Sequence, residues 1–479
     1  MKTLIINPPF LEPHRPPISC AILAEVSKQE GHDVNILDLN IDLYRHFGAD
    51  SFLNLQTEYL FGSSEEVTNT IHNFIIRKLN YHFKNHNYDW ILISCFSNWE
   101  YALTVFICKH IKTLTNATLV GGGPGLEGEG NDGYKLVKEN ILDFHVAGEG
   151  EIALKELFQG NVNYPGINGK PPVQIDDIEG LPLPNYDYFD LNKYEWLRGA
   201  PDFFIYGSRG CVRKCTFCNV EQYWPKFKYR SGVNIANEMI KNYETHGVKN
   251  YFFADSLLNG NLKEFRSFLD TLSNYSDAKD FSWGGYAIVR PKNQHPKDLW
   301  DQIGASGGKF MSLGIETGVD RIREDMKKKF TNDDIDWHLE QSQRIGLQNV
   351  FLMIPSWYNE TYEEHLEYLK IFPRWQRYAA DGTIFAIMIS PPLAMQPNTP
   401  LEKNSGYTTE SFKKDGGIVL KQVAWINPAM PELSIIERYK RSNNIIKEAL
   451  KYNWNVHNPE TKLNEIISTL SSYKKFKLE

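Results

Sequence analysis

Three cysteines close together, Cys211, Cys215 and Cys218, are the residues whose type and spacing most clearly suggest chemistry. Thiolates are soft ligands that bind zinc, copper(I) or iron-sulfur clusters, and a cluster commonly takes four cysteines from its protein. The other cysteines lie over a hundred residues upstream, and the closest histidines, His145 and His246, lie well outside this loop. The residues therefore favour an iron-sulfur cluster with one iron open to a non-protein ligand over structural zinc.

The use of cysteine also indicates a compartment. Six cysteines in 479 residues are too sparse for a disulfide scaffold, so the clustered three predict ligands in a reducing cytoplasm. Cys20, Cys95 and Cys108 lie within the predicted N-terminal sheet domain, where we expect buried roles as small apolar side chains.

Composition argues against a membrane span and against a nucleic-acid substrate. The chain is 42% hydrophobic and 23% charged, without an apolar run long enough for a membrane-spanning helix, so we expect no membrane span. The net charge is -7 and the sequence has no basic stripe, which disfavours a nucleic-acid substrate. The length predicts several domains, and the first ten residues predict a strand rather than a signal peptide.

From residue 1 to about 160, short apolar segments alternate with helical patterns, which is typical of a parallel sheet wrapped by helices. The predicted strands are Leu4–Asn7, Val34–Leu39, Trp90–Ser94, Thr118–Val120 and Phe144–Ala147. The predicted helices are Ile18–Gln29, Glu65–His86 and Tyr101–Leu114.

Ligands of such sheets bind beyond the carboxyl ends of the strands, so the turns after the strands are the candidate binding residues. Four of these turns are unusual in composition. Their residues are Asn7, Pro8, Pro9 and Leu11; Ser94, Phe96, Asn98 and Trp99; Gly121, Gly122 and Gly123; and Gly148, Glu149 and Gly150. Each turn alone could be structural, but their coincidence at one sheet edge predicts a ligand site.

Strands and helices alternate again downstream of the cysteines. The predicted strands are Tyr251–Ala254, Phe281–Val289, Phe310–Ile315, Val350–Ile354 and Thr383–Ile389. Together with the strand before the cysteine loop, these units fit a barrel whose chemistry lies at the carboxyl ends of its strands. The cysteine loop is at that end.

The C-x3-C-x2-C spacing, with Phe217 just before the last cysteine, resembles the signature of the radical S-adenosylmethionine (SAM) enzymes. The resemblance implies a [4Fe-4S] cluster whose open iron is chelated by SAM. One electron, from a donor such as flavodoxin or ferredoxin, then cleaves SAM to a 5'-deoxyadenosyl radical.

Two further segments carry this resemblance. Phe253–Ser256 resembles a strand of the family that ends in an acidic residue, and Gly314–Gly318 resembles the glycine-glutamate-glycine segment that helps to hold SAM. Ile354–Trp357 departs from the family, because the glycine expected beside the proline is absent. The implied SAM-binding residues are Phe217, Asp255, Arg290, Ser312 and Glu316. The two carboxylates could instead be helix caps and the arginine a surface cation.

The order of sheet domain, proline-containing linker and cysteine loop resembles the cobalamin-binding radical SAM enzymes over residues 1 to 405. The resemblance implies an α/β protein with a Rossmann-like (flavodoxin-like) cobalamin-binding domain at 1–163 and a linker at 164–200. A partial (β/α) TIM-type barrel with the cluster follows at 201–405, then a C-terminal helical region at 406–479, with helices predicted at Ile435–Leu450 and Leu463–Tyr473.

The four turns listed above are then the implied cobalamin-binding residues. The chain lacks the Asp-x-His-x-x-Gly segment whose histidine binds cobalt in free-standing cobalamin domains. The turn after the third strand would therefore face the cobalt, and Trp99 would keep water off the metal.

Methylcobalamin donates methyl groups to carbon radicals, so the function implied is methylation of an unactivated carbon of a small-molecule or peptide natural product. A cobalamin-dependent rearrangement, ring contraction or cyclisation without net methyl transfer shares every motif. Methylthiolation is disfavoured, because such enzymes carry three more cluster cysteines near the N-terminus. A non-catalytic cobalamin or redox sensor is a further alternative. The sequence identifies no catalytic acid or base.

Overall fold

The computed structural model describes residues 1–61, 64–127, 132–194, 202–277, 280–389, 392–409, 413–414, 417–418 and 425–457. The chain divides into two compact units. The first unit is Met1–Ile205 with Lys241–Asn250, and the second unit is Tyr206–Ile240 with Tyr251–Glu479.

The first unit contains a five-stranded sheet in the order β2-β1-β3-β4-β5, with every neighbouring pair parallel. Its strands are β1 (Lys2–Asn7), β2 (Asp33–Asp38), β3 (Trp90–Ser94), β4 (Thr118–Gly122) and β5 (Phe144–Val146). This order is that of flavodoxin-like folds, in which ligands bind where the strand order reverses, between β1 and β3. The predicted Rossmann-like architecture is confirmed.

Helices cover this sheet, which explains why its strands are apolar on both faces. They are α1 (Ile18–Gln29), α2 (Leu39–Phe47), α3 (Ala49–Phe61), α4 (Glu65–Asn85), α5 (Tyr101–Leu114), α6 (Gly133–Lys138) and α7 (Gly150–Phe158). Cys20, Cys95 and Cys108 are buried, as predicted.

Residues 164–194, most of the predicted linker, are irregular apart from an isolated β-bridge between Ile167 and Val146 and one 3-10 turn at Leu191–Lys193. They nevertheless pack within the first unit. The Asn185 amide donates to the carbonyl of Ala21 at 3.1 Å, and the Tyr194 hydroxyl donates to the Asp38 carboxylate at 2.7 Å.

A second sheet has the order β13-β12-β11-β10-β9-β6, and its strands from β10 to β13 are parallel. Its strands are β6 (Asp202–Ile205), β9 (Asn250–Phe253), β10 (Ser282–Ala287), β11 (Gly308–Glu316), β12 (Gln348–Met353) and β13 (Ile384–Ile389). A separate antiparallel pair, β7 (Ser208–Arg209) and β8 (Lys228–Tyr229), flanks the cysteine loop.

The helices after the cysteines follow the predicted alternation. They are α8 (Val220–Tyr223), α9 (Gly232–His246), α10 (Leu262–Ser273), α11 (Lys297–Ala305), α12 (Asp320–Asp325), α13 (Asn332–Ile345), α14 (Tyr362–Tyr368), α15 (Ile371–Arg374), α16 (Gln376–Ala380) and α17 (Pro400–Asn404). Together with the parallel strands they confirm the predicted barrel-type α/β fold.

The C-terminal region starts with short strands rather than helix. These are β14 (Thr408–Thr409), β15 (Lys413–Lys414), β16 (Gly417–Ile418) and β17 (Trp425–Ile426), and the predicted helix follows as α18 (Ile435–Lys451). The predicted helix Leu463–Tyr473 lies outside the described residues. Among the described helices, none combines the length and apolar character needed to span a bilayer.

Candidate active site

The base of the cysteine loop is fixed by one buried carboxylate. β7 and β8 pair antiparallel and close the loop. Asp255, just beyond β9, accepts hydrogen bonds from the Gly207 amide at 2.8 Å and the Ser208 hydroxyl at 2.5 Å. Burial raises the pKa of Asp255 to about 6, against the lowering effect of these hydrogen bonds. Asp255 is thus a backbone anchor for the loop and not a helix cap.

The middle of the loop is held at Thr216. Its amide donates to the Met326 carbonyl at 3.2 Å, and its hydroxyl donates to the Asp325 carbonyl at 3.3 Å. Its own carbonyl accepts from the Leu401 amide at 2.8 Å. The end of α12 and the start of α17 therefore hold the loop between its second and third cysteines.

The three cysteines are partly exposed on this loop. Burial raises the pKa of Cys211 and Cys215, and the nearby Lys328 ammonium opposes that rise. In the part of the chain that the structure describes, no three His, Cys, Asp or Glu side chains are grouped to hold a metal ion. The cysteines are thus not gathered around a single ion. The thiols have the ligand type that iron-sulfur clusters use.

Glu316 ends β11 and forms a buried ion pair that the sequence did not reveal. The Lys328 Nζ lies 2.5 Å from Glu316 Oε1, and both side chains are almost fully buried. Burial lowers the pKa of Lys328, but Glu316 and the cysteines outweigh burial and leave it raised. Lys328 lies in a run of three lysines, a pattern typical of a solvated surface.

Phe217 packs between Lys328 and a tryptophan. The Lys328 Nζ lies 5.4 Å from the centroid of the Phe217 ring, and the Trp357 ring contacts it edge-on at 5.8 Å. The Trp357 indole donates to the Asp325 carboxylate at 2.8 Å, as does the Asn359 amide at 3.2 Å. The aromatic residue of the motif is therefore fixed by packing on both sides.

The loop after β12 departs from the family pattern at Ser356. This residue has a φ of 62°, a left-handed conformation that glycine adopts most easily. Its hydroxyl is buried and donates to the carbonyl of Arg438 at 3.3 Å. The buried Glu360, in the same loop, pairs with Arg441 at 3.1 Å. Helix α18 thus stabilises a loop in which serine replaces the expected glycine.

The two remaining SAM candidates lie on neighbouring strands or just beyond them. Arg290 is buried and donates to the carbonyls of Asn259 and Gly260, so its interpretation as a surface cation is wrong. Burial and the nearby Arg213 lower the pKa of Arg290 to about 10, whereas Cys211 raises it. Ser312 lies on β11 beside Tyr286 of β10 and Val350 of β12.

In the first unit, the predicted turns follow β1, β3, β4 and β5, which are neighbours in the sheet. The turn after β1 is closely bound to its surroundings. The Asn7 amide donates to Asp38 at 2.9 Å, and the Leu11 backbone exchanges hydrogen bonds with the Asn40 side chain. Pro8 and Pro9 are buried, and the Ser94 hydroxyl donates to the Ser19 hydroxyl at 2.9 Å. The structure places these turns along one edge.

Close packing explains why Gly121, Gly122 and Gly123, at the end of β4 and just after it, lack a side chain. A Cβ at Gly121 would lie 2.7 Å from Leu142, and one at Gly122 would lie 3.0 Å from the Val146 carbonyl. Gly123 has a φ of 104° and packs on the Cys95 carbonyl. These three glycines therefore allow close packing of neighbouring strands and loops.

The turn after β5 forms hydrogen bonds with two other segments of the first unit. Gly148 has a φ of 73°, and its amide donates to Glu127 at 2.8 Å. The Glu149 carboxylate accepts from the amide of Ile175 at 2.5 Å, and Gly150 begins α7.

The turn after β3 presents the exposed candidates. Phe96 is 59% exposed and Trp99 is 47% exposed, and Asn98 is also exposed. Beneath them, the buried Glu100 accepts hydrogen bonds at 2.7 Å from the amides of Phe96 and Ser97. Burial raises the pKa of Glu100 to about 8, although these hydrogen bonds oppose the shift. Glu100 was not predicted from the sequence, although the capping-box spacing of Ser97 and Glu100 is a signal that could have identified it.

A match to a protein-family model covers the segment that carries the cysteines. Residues 205–371 match the model of the Radical SAM superfamily. This segment is a radical SAM domain. The matched range contains the three cysteines, every SAM-binding candidate and Lys328.

Relatives and solved structures extend the similarity beyond the radical SAM domain. The uncharacterized methyltransferase PH0819 of Pyrococcus horikoshii is 26% identical over 390 residues, which are 76% of this chain and 76% of the relative. Two solved structures, both with a TM-score of 0.64, have a similar fold. TsrM of Kitasatospora setae, a radical SAM methyltransferase with bound cobalamin and [4Fe-4S] cluster, is 16% identical and covers 90% of this chain and 84% of its own. The cobalamin-dependent SAM radical enzyme OxsB, with bound aqua-cobalamin, is 14% identical, and the match covers 98% of this chain and 71% of the OxsB chain.

Glu100 gives a pH-dependent prediction. Because its pKa in the folded chain is raised above the unfolded value, its contribution to stability is greatest in acid and is lost as pH rises from about 4.5 to about 8. In Glu100→Gln, the side-chain carbonyl oxygen can take the place of Oε2 and accept both hydrogen bonds from the Phe96 and Ser97 amides without carrying a charge. We expect the urea midpoint of this variant, relative to the original chain, to increase between pH 5 and pH 8. Parallel pH profiles for the two chains would contradict the assignment.

Proposed function

We propose that this protein is a cobalamin-dependent radical SAM methyltransferase that methylates an unactivated carbon of a small-molecule or peptide substrate. The three-cysteine loop within a radical SAM domain is the observation that carries the proposal. The similarity in fold to TsrM and OxsB, which extends over 90% or more of this chain, supports the cobalamin half.

Cys211, Cys215 and Cys218 would hold a [4Fe-4S] cluster, and SAM would bind its open iron. When bound, the reduced cluster and SAM supply a 5'-deoxyadenosyl radical. Loop anchoring by Asp255, and by Asp325 and Met326 through Thr216, would keep the thiols in place. The electron would come from a small carrier protein such as flavodoxin or ferredoxin.

Phe217, Arg290, Ser312 and Glu316 remain the candidate SAM-binding residues. Glu316 has a φ of 66°, and a Cβ at Gly314 would lie 2.5 Å from its carboxylate. A non-glycine residue held in this conformation is typical of a functional site. We propose a positioning role for Asp255 rather than direct contact with SAM, because both of its oxygens already accept hydrogen bonds from the cysteine-loop base.

The edge at the ends of β1, β3, β4 and β5 would bind cobalamin. Phe96 and Trp99 expose large apolar surfaces at this edge, which suits a large, partly apolar ligand. Without a histidine from an Asp-x-His-x-x-Gly segment, the Phe96–Trp99 turn would face the cobalt, with Trp99 limiting access of water. Glu100 would hold this turn by its backbone amides.

A rearrangement, ring contraction or cyclisation without net methyl transfer is the second candidate. A 134-residue segment, 25% of this chain, is 31% identical to the anaerobic magnesium-protoporphyrin IX monomethyl ester cyclase of Synechocystis, a relative named for a cyclisation, and this similarity favours the second candidate. The two candidates share cofactors and differ in products.

The products distinguish the two candidates. The anaerobically reconstituted protein, with iron, sulfide, hydroxocobalamin, SAM and a reductant, is expected to retain cobalamin and form both 5'-deoxyadenosine and S-adenosylhomocysteine. Flavodoxin or ferredoxin with its reductase should replace the chemical reductant. Deoxyadenosine without S-adenosylhomocysteine would favour rearrangement, and neither product with a loaded cluster would favour a sensor.

Replacement of the cysteines tests the cluster. Each single cysteine-to-alanine variant, at Cys211, Cys215 or Cys218, removes one of the three proposed ligands. We expect a severe loss of bound iron and of cluster absorbance at about 400 nm, and a loss of deoxyadenosine formation of roughly 100-fold or more. Cys108→Ala, in the buried core of the first unit, is the control and should load normally. Normal iron content in any of the three variants would refute the ligand assignment.

Replacement of Trp99 tests the cobalamin site. Trp99→Ala opens the proposed lower face of the cobalt to water, so we expect a changed absorption spectrum of bound cobalamin and slower turnover. Tyr81→Ala, which removes an exposed aromatic residue on α4, is the control. An unaltered spectrum and unaltered turnover in Trp99→Ala would count against this placement.

A further inference from the structure

Lys328 is turned into the protein between two exposed lysines. Its side chain is buried, with the residue 8% exposed, while Lys327 and Lys329 point to solvent. Lys327 and Lys329 have φ values of 60° and 59°, and the Lys328 amide donates to the Arg323 carbonyl at 2.9 Å. Left-handed residues on both sides cost free energy and persist only where the surroundings require them. The backbone is thus arranged to bury this one cation.

The surroundings of the Lys328 ammonium are closely fitted. Its Nζ lies 2.5 Å from Glu316 Oε1 and 5.4 Å from the centroid of the Phe217 ring. A Cβ at Gly314 would lie only 2.8 Å from the same Nζ. Glu316, Phe217 and Gly314 therefore fix the ammonium in position beside the cysteine loop.

The charges of the cysteine loop make this position significant. The Lys328 Nζ lies 5.4 Å from the centroid of the ring of Phe217, the residue immediately before Cys218, so the ammonium lies beside the cysteine loop. Lys214, a basic residue within the loop, is mostly exposed and pairs with Glu221 at 2.7 Å. Water screens an exposed cation far more than a buried one. Lys328 is therefore the better placed of the two to act on a bound cluster.

We propose that Lys328 is a positioning cation that raises the reduction potential of the cluster, with Glu316 moderating its effect. A [4Fe-4S]2+ cluster with three thiolates becomes more negative by one charge when it accepts one electron. A fixed neighbouring cation stabilises that added charge, and a neighbouring carboxylate opposes it. The inference rests on the cluster in the proposed function, but not on cobalamin or methyl transfer.

Opposite shifts from the two partners of the ion pair are the expected signature. The reconstituted protein without SAM is titrated with dithionite as the electron source, and the reduced cluster is followed by electron paramagnetic resonance. Lys328→Met should lower the midpoint potential, with about a tenfold change in the reduction equilibrium, about 59 mV for one electron. Glu316→Gln should raise it. Lys328→Arg keeps the charge and should stay near the original value, and Lys214→Met is the surface control.

A purely structural role predicts a different pattern. Shifts of Lys328→Met and Glu316→Gln in the same direction, or an equal shift in Lys328→Arg, would overturn the proposal. If Lys328→Met does not load a cluster, the other two variants decide. A raised midpoint potential in Glu316→Gln together with an unchanged one in Lys328→Arg supports the proposal. Any other pair of results refutes it. A wild-type protein without cluster refutes both proposals, whereas normal potentials without cobalamin retention refute only the proposed function.

Discussion

The radical SAM domain depends on holding three thiols in fixed positions on one irregular loop. With only three protein ligands, the position of the cluster depends on how firmly the loop backbone is held. The structure provides two anchors. Asp255 binds the base of the loop through Gly207 and Ser208, and Thr216 is bonded to the end of α12. The partners in both anchors, Asp255 and the end of α12, follow the cysteines in sequence, so the loop conformation depends on contacts with downstream elements.

Buried carboxylates have different partners in the two units. In the second unit, Glu316 is buried against Lys328, and Glu360 against Arg441. Pairing offsets a desolvation cost that either charge alone would leave uncompensated. In the first unit, Glu100 accepts backbone amides, and its raised pKa shows that burial outweighs them. The Glu100 carboxyl protonates near neutral pH, so it stabilises its turn through hydrogen bonds rather than through a fixed charge.

The sequence predicted the elements that periodicity controls, and the reasons are local. Helices α1 and α5 match the predicted bounds, because their apolar spacing is regular. Helices α2, α3, α6 and α7 were missed. The candidate site was predicted where a residue type has one obvious use, as with the cysteines. Lys328 was missed because a lysine run is usually solvated, and its burial depends on a partner twelve positions away across a turn. The glycines at the sheet edge were identified, but neighbouring side chains and carbonyls account for their lack of a Cβ.

The departure at Ser356 shows how one substitution can be accommodated by a distant element. Serine in a left-handed conformation costs free energy that glycine would not. Its hydroxyl bond to Arg438, and the Glu360–Arg441 pair in the same loop, recover part of that cost through α18. The loop then holds Trp357 against Phe217, the aromatic residue of the cysteine motif. Helix α18 therefore supports the loop that packs against the cysteine motif, and its contribution to that part of the second unit is structural.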